Sequence, residues 1–392
     1  MINMLRKSLS MEIDNFVSYL QRAAFNQKSF TKSAFVQSRK KISPQVFKYL
    51  SDALIDEFYT DNDLSVKLWK GFRLLAVDGS RMTLPITDEL KAMYGTSNNQ
   101  NDADVVQGRC SILYDVENKH VLDGILAPLE QGERALALAH LEYCRSGDLV
   151  IYDRGYPAYS FIHAHMERGL ECLIRVKTNF SQVTLDFASS GKPSQAVDIY
   201  PGKNTKISGK AYERDTPMKV RLIRVELPKG DVEILMTTLL DTKVYPNSIF
   251  KKLYAKRWGV ETFYDELKNK LKVEHFSGYS SHSIQQDFHA ALFISNVQTL
   301  IVSDLEEEIA EGNKNRRLEY KVNNNLSYGL LKNRVLELFL EEESMEKAVM
   351  ELKTLFKKHL IPIRPNRSFG RESGKYRSRM KPKITKNQKD TI

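Results

Sequence analysis

Hydrophobic and polar positions change rhythm several times along this chain, and each change marks an element. Over residues 1–70 apolar residues recur at helical spacing among basic ones, and Phe16, Leu20, Phe25, Phe35, Val46 and Phe47 are candidates for a small core. Thr31 and Ser43-Pro44 read as helix starts, the second with Pro at the first helical position. From 71 to 177 short apolar runs alternate with amphipathic stretches. Strands are predicted at 73–77, 109–116 and 120–127, with a hairpin turn at Glu117-Asn118-Lys119. A helix over 133–145, a strand at 149–152, a helix at 158–168 and a strand at 171–176 complete an α/β unit. Residues 178–245 carry short β-like runs between Gly, Pro, Asn and Lys turns, and 283–311 and 328–359 read as amphipathic helices with acidic faces.

The stretch Leu253–Val273 is predicted as one helix whose polar positions share a face. Tyr254, Arg257, Glu261 and Lys268 stand at offsets of 0, 3, 7 and 14. At about 100° per residue these fall within roughly 60° of one another. Trp258, Val260, Phe263 and Leu267 are left to bury other faces. An ordinary amphipathic helix with an Arg257–Glu261 ion pair is the alternative.

A carboxylate beside cations suits chemistry on phosphates, which calls for metal ions and hence for further carboxylates. Two short apolar runs supply them: one ends at Asp78-Gly-Ser, the other at Asp153-Arg-Gly-Tyr. An aspartate directly after a buried strand sits where parallel sheets keep their sites. A turn or cap aspartate is the alternative for each taken singly.

Together the two strand-end aspartates and the Tyr-x2-Arg-x3-Glu-x6-Lys stripe resemble the DDE transposases of bacterial insertion sequences with the Tyr-Arg-Glu-Lys signature, the insertion sequence four family. The resemblance covers roughly residues 70 to 300. It implies an RNase H-like catalytic core (71–177 and 246–303), with Asp78 and Asp153 on neighbouring strands and an inserted β-rich subdomain at 178–245. A helical, basic DNA-binding region (1–70), C-terminal helices (304–362) and a basic tail (363–392) flank that core. It further implies that Asp78, Asp153 and Glu261 are catalytic and hold two Mg²⁺ or Mn²⁺ ions. Tyr254, Arg257 and Lys268 would meet the element's end, and the site would cut and rejoin DNA at terminal inverted repeats and target DNA, as a dimer in the synaptic complex. In hairpin-forming relatives an aromatic of the insertion stacks on a flipped base. With the two tryptophans at 69 and 258, that role would fall to Phe180, Tyr200, Tyr212 or Tyr245.

Charge extends this picture. The 392 residues carry a formal charge of +10 with a pI near 9.2, as a polyanion partner requires. Asn15–Ser51 has seven basic residues and no acid, and Arg39, Lys40, Lys41 and Lys48 within it suit a helix-turn-helix-like DNA reader; a solvated basic arm is the alternative. Arg154 follows the second aspartate. From Arg364 to Lys386 nine Lys/Arg stand against Glu372 alone, and Arg364, Arg367 and Arg371 are expected along phosphates. Cys110, Cys144 and Cys172 are widely spaced and read as reduced core residues, His163 and His165 as helix-surface residues. The absence of a signal-like start and of a long apolar run points to a cytoplasmic protein with no membrane partner. No Walker-type, Gly-x-Ser-x-Gly or Gly-x-Gly-x-x-Gly loop is present, which disfavours NTP and Ser-hydrolase chemistry. Two further readings stand beside the transposase: a non-catalytic DNA-binding descendant, and a carboxylate-pair hydrolase of sugars, which the basic segments disfavour.

Overall fold

The computed structural model describes residues 9–22, 30–61, 65–98, 104–227, 231–340 and 342–364. In chain order the elements begin with α1 (Leu9–Leu20), α2 (Lys32–Arg39), α3 (Gln45–Asp61), β1 (Arg73–Thr83), α4 (Asp88–Tyr94), β2 (Thr96–Asn98), β3 (Asp104–Asp115) and β4 (Val121–Ala127). Next come α5 (Glu133–Ala139), β5 (Asp148–Tyr152), α6 (Tyr159–Met166), β6 (Glu171–Val176), α7 (Gln182–Ser189), β7 (Ser194–Ile199), β8 (Met218–Glu226) and β9 (Val232–Thr237). The rest are α8 (Asn247–Ala255), α9 (Trp258–Asp265), α10 (Ser281–Ser303), α11 (Glu306–Gly312), β10 (Tyr320–Val322), α12 (Asn324–Leu340), α13 (Glu342–Lys358) and β11 (Leu360–Pro362). They form two compact units. One takes the chain up to Asp61, Arg81–Gly108 and the chain from Asp265; the other takes Asn62–Ser80 and Arg109–Tyr264.

The second unit is built on a mixed sheet ordered β4, β3, β1, β5, β6, β9, β8, β7. The β1–β5 and β5–β6 pairs are parallel, while β3–β4, β6–β9, β9–β8 and β8–β7 are antiparallel. Leu74–Val77 and Leu149–Tyr152 have no exposed surface, as continuous apolar runs in a parallel sheet should. At the start of the β1–β5 pair, Arg73 grips Asp148 through Nε (2.9 Å) and Nη2 (2.6 Å). α8 lies on this sheet through Phe250, Leu253 and Tyr254, packed with Leu74, Ile151 and Leu173. In the segment expected as an inserted β-rich subdomain, β7, β8 and β9 pair with one another and continue the central sheet through the pairing of β9 with β6.

The expected single helix over Leu253–Val273 is broken. α8 stops at Ala255, the amides of Lys256, Arg257, Gly259 and Val260 reach back three residues rather than four, and α9 is followed by a π-helical stretch over Glu266–Lys270. Gly259 explains the tight part: a Cβ there would stand 3.3 Å from Val116 Cγ1, so the glycine lets the helix close on the β3 hairpin. Trp258, expected to be buried, is 49 % exposed.

In the first unit α10 is buried along most of its length and packs on α3. Its N-terminus carries a capping box between Ser280 and Ser283. Thr31 caps α2 by accepting from Ala34 N, as its sequence predicts. The small core differs from expectation. Leu9, Ile13 and Val17 pack against Phe35 and Val36, whereas Phe16, Leu20 and Val46 are exposed, and Phe25 lies outside the described residues. Among the described residues no single helix is long and apolar enough to cross a membrane.

Candidate active site

The β1–β5 register places the two aspartates. Arg73 pairs with Asp148 and Ala76 with Ile151, a constant offset of 75 residues that carries Asp78 level with Asp153 just beyond the ladder. β1 runs on through Asp78 to Thr83 rather than ending in the turn expected there, and Asp78 Oδ1 accepts from Gly79 N (2.9 Å); Asp153 follows the end of β5, and its Oδ1 accepts from Gly155 N (2.6 Å) in the turn after it.

Glu261, in the first turn of α9, joins them through Arg257. Arg257 Nη2 donates to Glu261 Oε1 at 2.5 Å, and Nη1 stands 3.8 Å from Asp78 Oδ2. The guanidinium is buried and lies over the rings of Trp258 (5.4 Å) and Tyr254 (5.9 Å). Burial pushes the Asp78 carboxyl up to about 6; Gly79 N–H and Arg257 pull it down, and the Glu261 and Asp153 carboxylates push it further up. Tyr264 pins the strand under this site, its hydroxyl within 2.9 Å of Asp78 O and 3.2 Å of Cys110 O.

These groups repel one another through carboxylates and are bridged by a guanidinium. A hard cation suits such oxygen donors. Among the described residues, however, no three His, Cys, Asp or Glu side chains stand close enough to hold one. Arg257 is the group that links Asp78 and Glu261.

The family model described as the transposase DDE domain matches residues 69–297, more than half of the chain. The chain belongs to the DDE transposase family. The chain is similar to the transposase InsG of insertion sequence element IS4 from Escherichia coli (strain K12), at 22 % identity over 250 residues, covering 63 % of this chain and 55 % of that protein. It thus spans about half the length of that relative, and the resemblance to the insertion sequence four family stands. Among solved structures it is similar to the piggyBac transposase synaptic complex with hairpin DNA, with a TM-score of 0.40 and 9 % identity over 86 % of this chain and 66 % of that one.

Several residues expected to meet DNA in this transposase-family chain are committed elsewhere. Arg39 is 3 % exposed and donates to Gln286 Oε1 (2.8 Å), Ser277 Oγ (2.6 Å), Ser283 O (3.2 Å) and Asp287 Oδ1 (3.1 Å). That network leaves it no free face for a phosphate. Tyr254 is 9 % exposed, and its buried hydroxyl has no hydrogen-bond partner among the described residues. Lys268 belongs to the other unit, where Nζ donates to Arg81 O at 2.6 Å. Lys40, Lys41, Arg154 and Arg364 are exposed, and Lys48 is half-buried, 4.0 Å from Asp52. Arg367 and Arg371 lie outside the described residues. Of the insertion aromatics, Tyr200 is 54 % exposed, while Tyr212 is buried and Tyr245 packs on Trp69 and Phe72.

His165 differs from its sequence reading, and His140 had none. His165 is buried, bonded to the Tyr152 hydroxyl (2.7 Å) and Phe161 O (2.8 Å), and burial lowers its pKa to about 4. His140 lies between Asp123 (2.7 Å) and Ser111 (2.9 Å) in a Ser-His-Asp arrangement. All three side chains are buried, so no substrate reaches them and the trio is a core polar network.

Proposed function

We propose that this chain is a catalytic transposase that binds terminal inverted repeats and cuts and rejoins DNA strands at Asp78, Asp153 and Glu261. The observation that supports this reading is the β1–β5 register, whose offset of 75 residues is also the spacing from Asp78 to Asp153, together with Arg257 linking Glu261 to Asp78. The strand order β4, β3, β1, β5, β6 supports an RNase H-like core.

DDE transposase domains generally use divalent ions, and Asp78, Asp153 and Glu261 would hold them here. Bound, the ions supply an activated hydroxyl and neutralise charge at the phosphate. The chain's own groups do the rest. Gly79 and Gly155 amides orient the two aspartates. Arg257 would offer the two-pronged donor of its guanidinium to a phosphate oxygen of the element's end. Tyr254 would offer its hydroxyl, which has no partner among the described residues. Lys268, Lys40, Lys41, Lys48, Arg154 and Arg364, with Arg367 and Arg371, supply cations along the DNA backbone. Cutting two ends together calls for a dimer in the assembled complex.

The test is cleavage of DNA carrying the gene's own flanking repeats, with Mg²⁺ or Mn²⁺, by wild type and Glu261→Gln. Cleavage at the repeat ends that disappears in the variant supports the reading. Repeat-specific binding without cleavage by either protein would make this a non-catalytic descendant.

A further inference from the structure

The π-helical stretch Glu266–Lys270 is anchored through one residue and reaches out through another. Leu271 N donates to Glu266 O at 3.0 Å, five residues back, which closes the wide turn. Single turns of this kind are rare and recur at functional sites. Glu266, the first residue of the stretch, is buried. Its Oε1 accepts from the Tyr328 hydroxyl, and its Oε2 from Asn324 Nδ2 at 2.7 Å and Lys270 Nζ at 3.4 Å. Asn324 and Tyr328 stand four residues apart, on one face of α12. A buried, paired carboxylate is weak ground for stability, because well-packed apolar side chains serve as well. Three directed hydrogen bonds supply instead a fixed orientation of the turn.

Lys268, two residues on, reaches to a different element. Its Nζ donates to Arg81 O at 2.6 Å and stands 4.0 Å from Glu274 Oε1, which accepts from Thr83 N at 2.9 Å. The lysine thus lies against the end of β1, with its side chain 25 % exposed. A flexible four-carbon stem delivers its ammonium where the backbone beneath it allows. Beneath Lys268 that backbone is the turn fixed by Glu266, and all of these residues belong to the first unit.

We propose that Glu266 is a positioning residue: held by Tyr328 and Asn324, it sets the π-helical turn so that Lys268 presents its ammonium at the end of β1 to a phosphate of DNA. This rests on the reading of Lys268 as a phosphate contact given above. Glu266 acts only through the lysine, since its own carboxylate is buried against α12.

The experiment is equilibrium binding of the full chain, without divalent ion, to duplex DNA carrying the gene's own terminal repeat. Affinity is measured over a range of salt concentrations, well below the melting temperature of each protein. Wild type, Lys268→Ala, Glu266→Gln, Tyr328→Phe and the last two combined with Lys268→Ala are compared. Lys268→Ala is expected to weaken binding severalfold and to make the slope of log affinity against log salt shallower by about 0.9, the share of one phosphate. Glu266→Gln and Tyr328→Phe are expected to flatten the slope in the same direction. Neither should add to the loss once Lys268 is alanine, a non-additivity that independent residues do not show. A residue that only holds the fold together would lower the melting temperature and leave the slope alone. Tyr328→Phe removes one hydroxyl and keeps the ring, so it decides the matter if Glu266→Gln does not fold. Losses that multiply with that of Lys268→Ala, or wild-type affinity and slope in both variants, overturn this inference alone. Wild-type affinity and slope in Lys268→Ala overturn the reading of Lys268 as a phosphate contact, and this inference with it.

Discussion

Arg257 Nη2 stands 2.5 Å from Glu261 Oε1, one helical turn away, while its Nη1 reaches to 3.8 Å from Asp78 Oδ2. A guanidinium thus links two carboxylates that belong to different elements, and the planar fork makes this possible. Lysine carries the charge but not the fork. Arg257→Lys is expected to reduce strand cleavage about tenfold or more, about 1.4 kcal/mol at the transition state. The melting temperature should change little, because Glu261 is 27 % exposed and a pair so placed contributes less than about 1 kcal/mol. Single-turnover cleavage beside a thermal melt checks this. Unchanged cleavage would remove Arg257 from the site's chemistry.

Asp78 makes the site sensitive to pH. Its carboxyl is raised from 3.8 to about 6 in the folded chain, first by burial. The folded state therefore holds a proton that the unfolded chain has lost between those values, and metal-free stability falls as pH rises through that window, then levels off above it. Asp78→Asn removes the buried charge, so it should raise the melting temperature of metal-free protein at pH 8 more than at pH 4. Cation binding has the opposite demand. It needs the ionised carboxylate, so Mn²⁺ affinity should rise between pH 5 and pH 7 with protons released on binding. Calorimetry in two buffers of different ionisation enthalpy measures that release, and a pH-independent affinity would be the contrary result.

The sheet's centre was legible in the sequence because parallel, doubly buried strands write themselves as continuous apolar runs, at 74–77 and 149–152. The spacing of 75 residues between the two aspartates matches the strand register, but nothing in a linear chain says which strands are neighbours. The joining of β9 to β6 was hidden for the same reason, since pairing partners are not a local property. The break in the signature helix had a visible trace in Gly259, whose meaning depends on Val116, far away in sequence. Glu133 was invisible. It opens an ordinary short helix after Gly132, and only the folded chain sets it against Gly79 and Gly155. Arg39 looked like its neighbours Lys40 and Lys41 in a basic run, yet it alone turns inward.

Gly79→Ala separates stability from activity. A Cβ there would meet Glu133 Cγ at 3.3 Å and Cδ at 3.4 Å, the middle of a flexible side chain rather than backbone. Gly79 does not have a positive φ, so alanine is compatible with its conformation and restricts the unfolded chain, worth about 0.4–1 kcal/mol in favour of folding. The substitution is expected to leave the melting temperature unchanged or slightly higher. Cleavage should nevertheless fall severalfold, because the added methyl and the displaced Glu133 side chain crowd the strand beside Asp78. A melt and a cleavage time course on the same preparation decide it. A drop of several degrees would mean that the Glu133 side chain has no slack to give.

Arg39 and its neighbours should respond to alanine in opposite ways. Arg39→Ala strands Asp287 and Gln286 in a nearly closed interior, where Arg39 is 3 % exposed. Removing one partner of a buried charged network costs about 3 kcal/mol or more, so its melting temperature should drop by several degrees. Any loss of DNA binding would then follow the unfolded fraction. Lys40 and Lys41 are exposed, and replacing both by alanine should leave the melt unchanged. Their effect belongs to DNA affinity: the slope of log affinity against log salt should become shallower by about one for each phosphate that a lysine no longer neutralises. If Arg39→Ala instead melts like wild type while flattening the salt slope, the guanidinium turns outward to DNA and the network around Gln286 and Asp287 is not its working position.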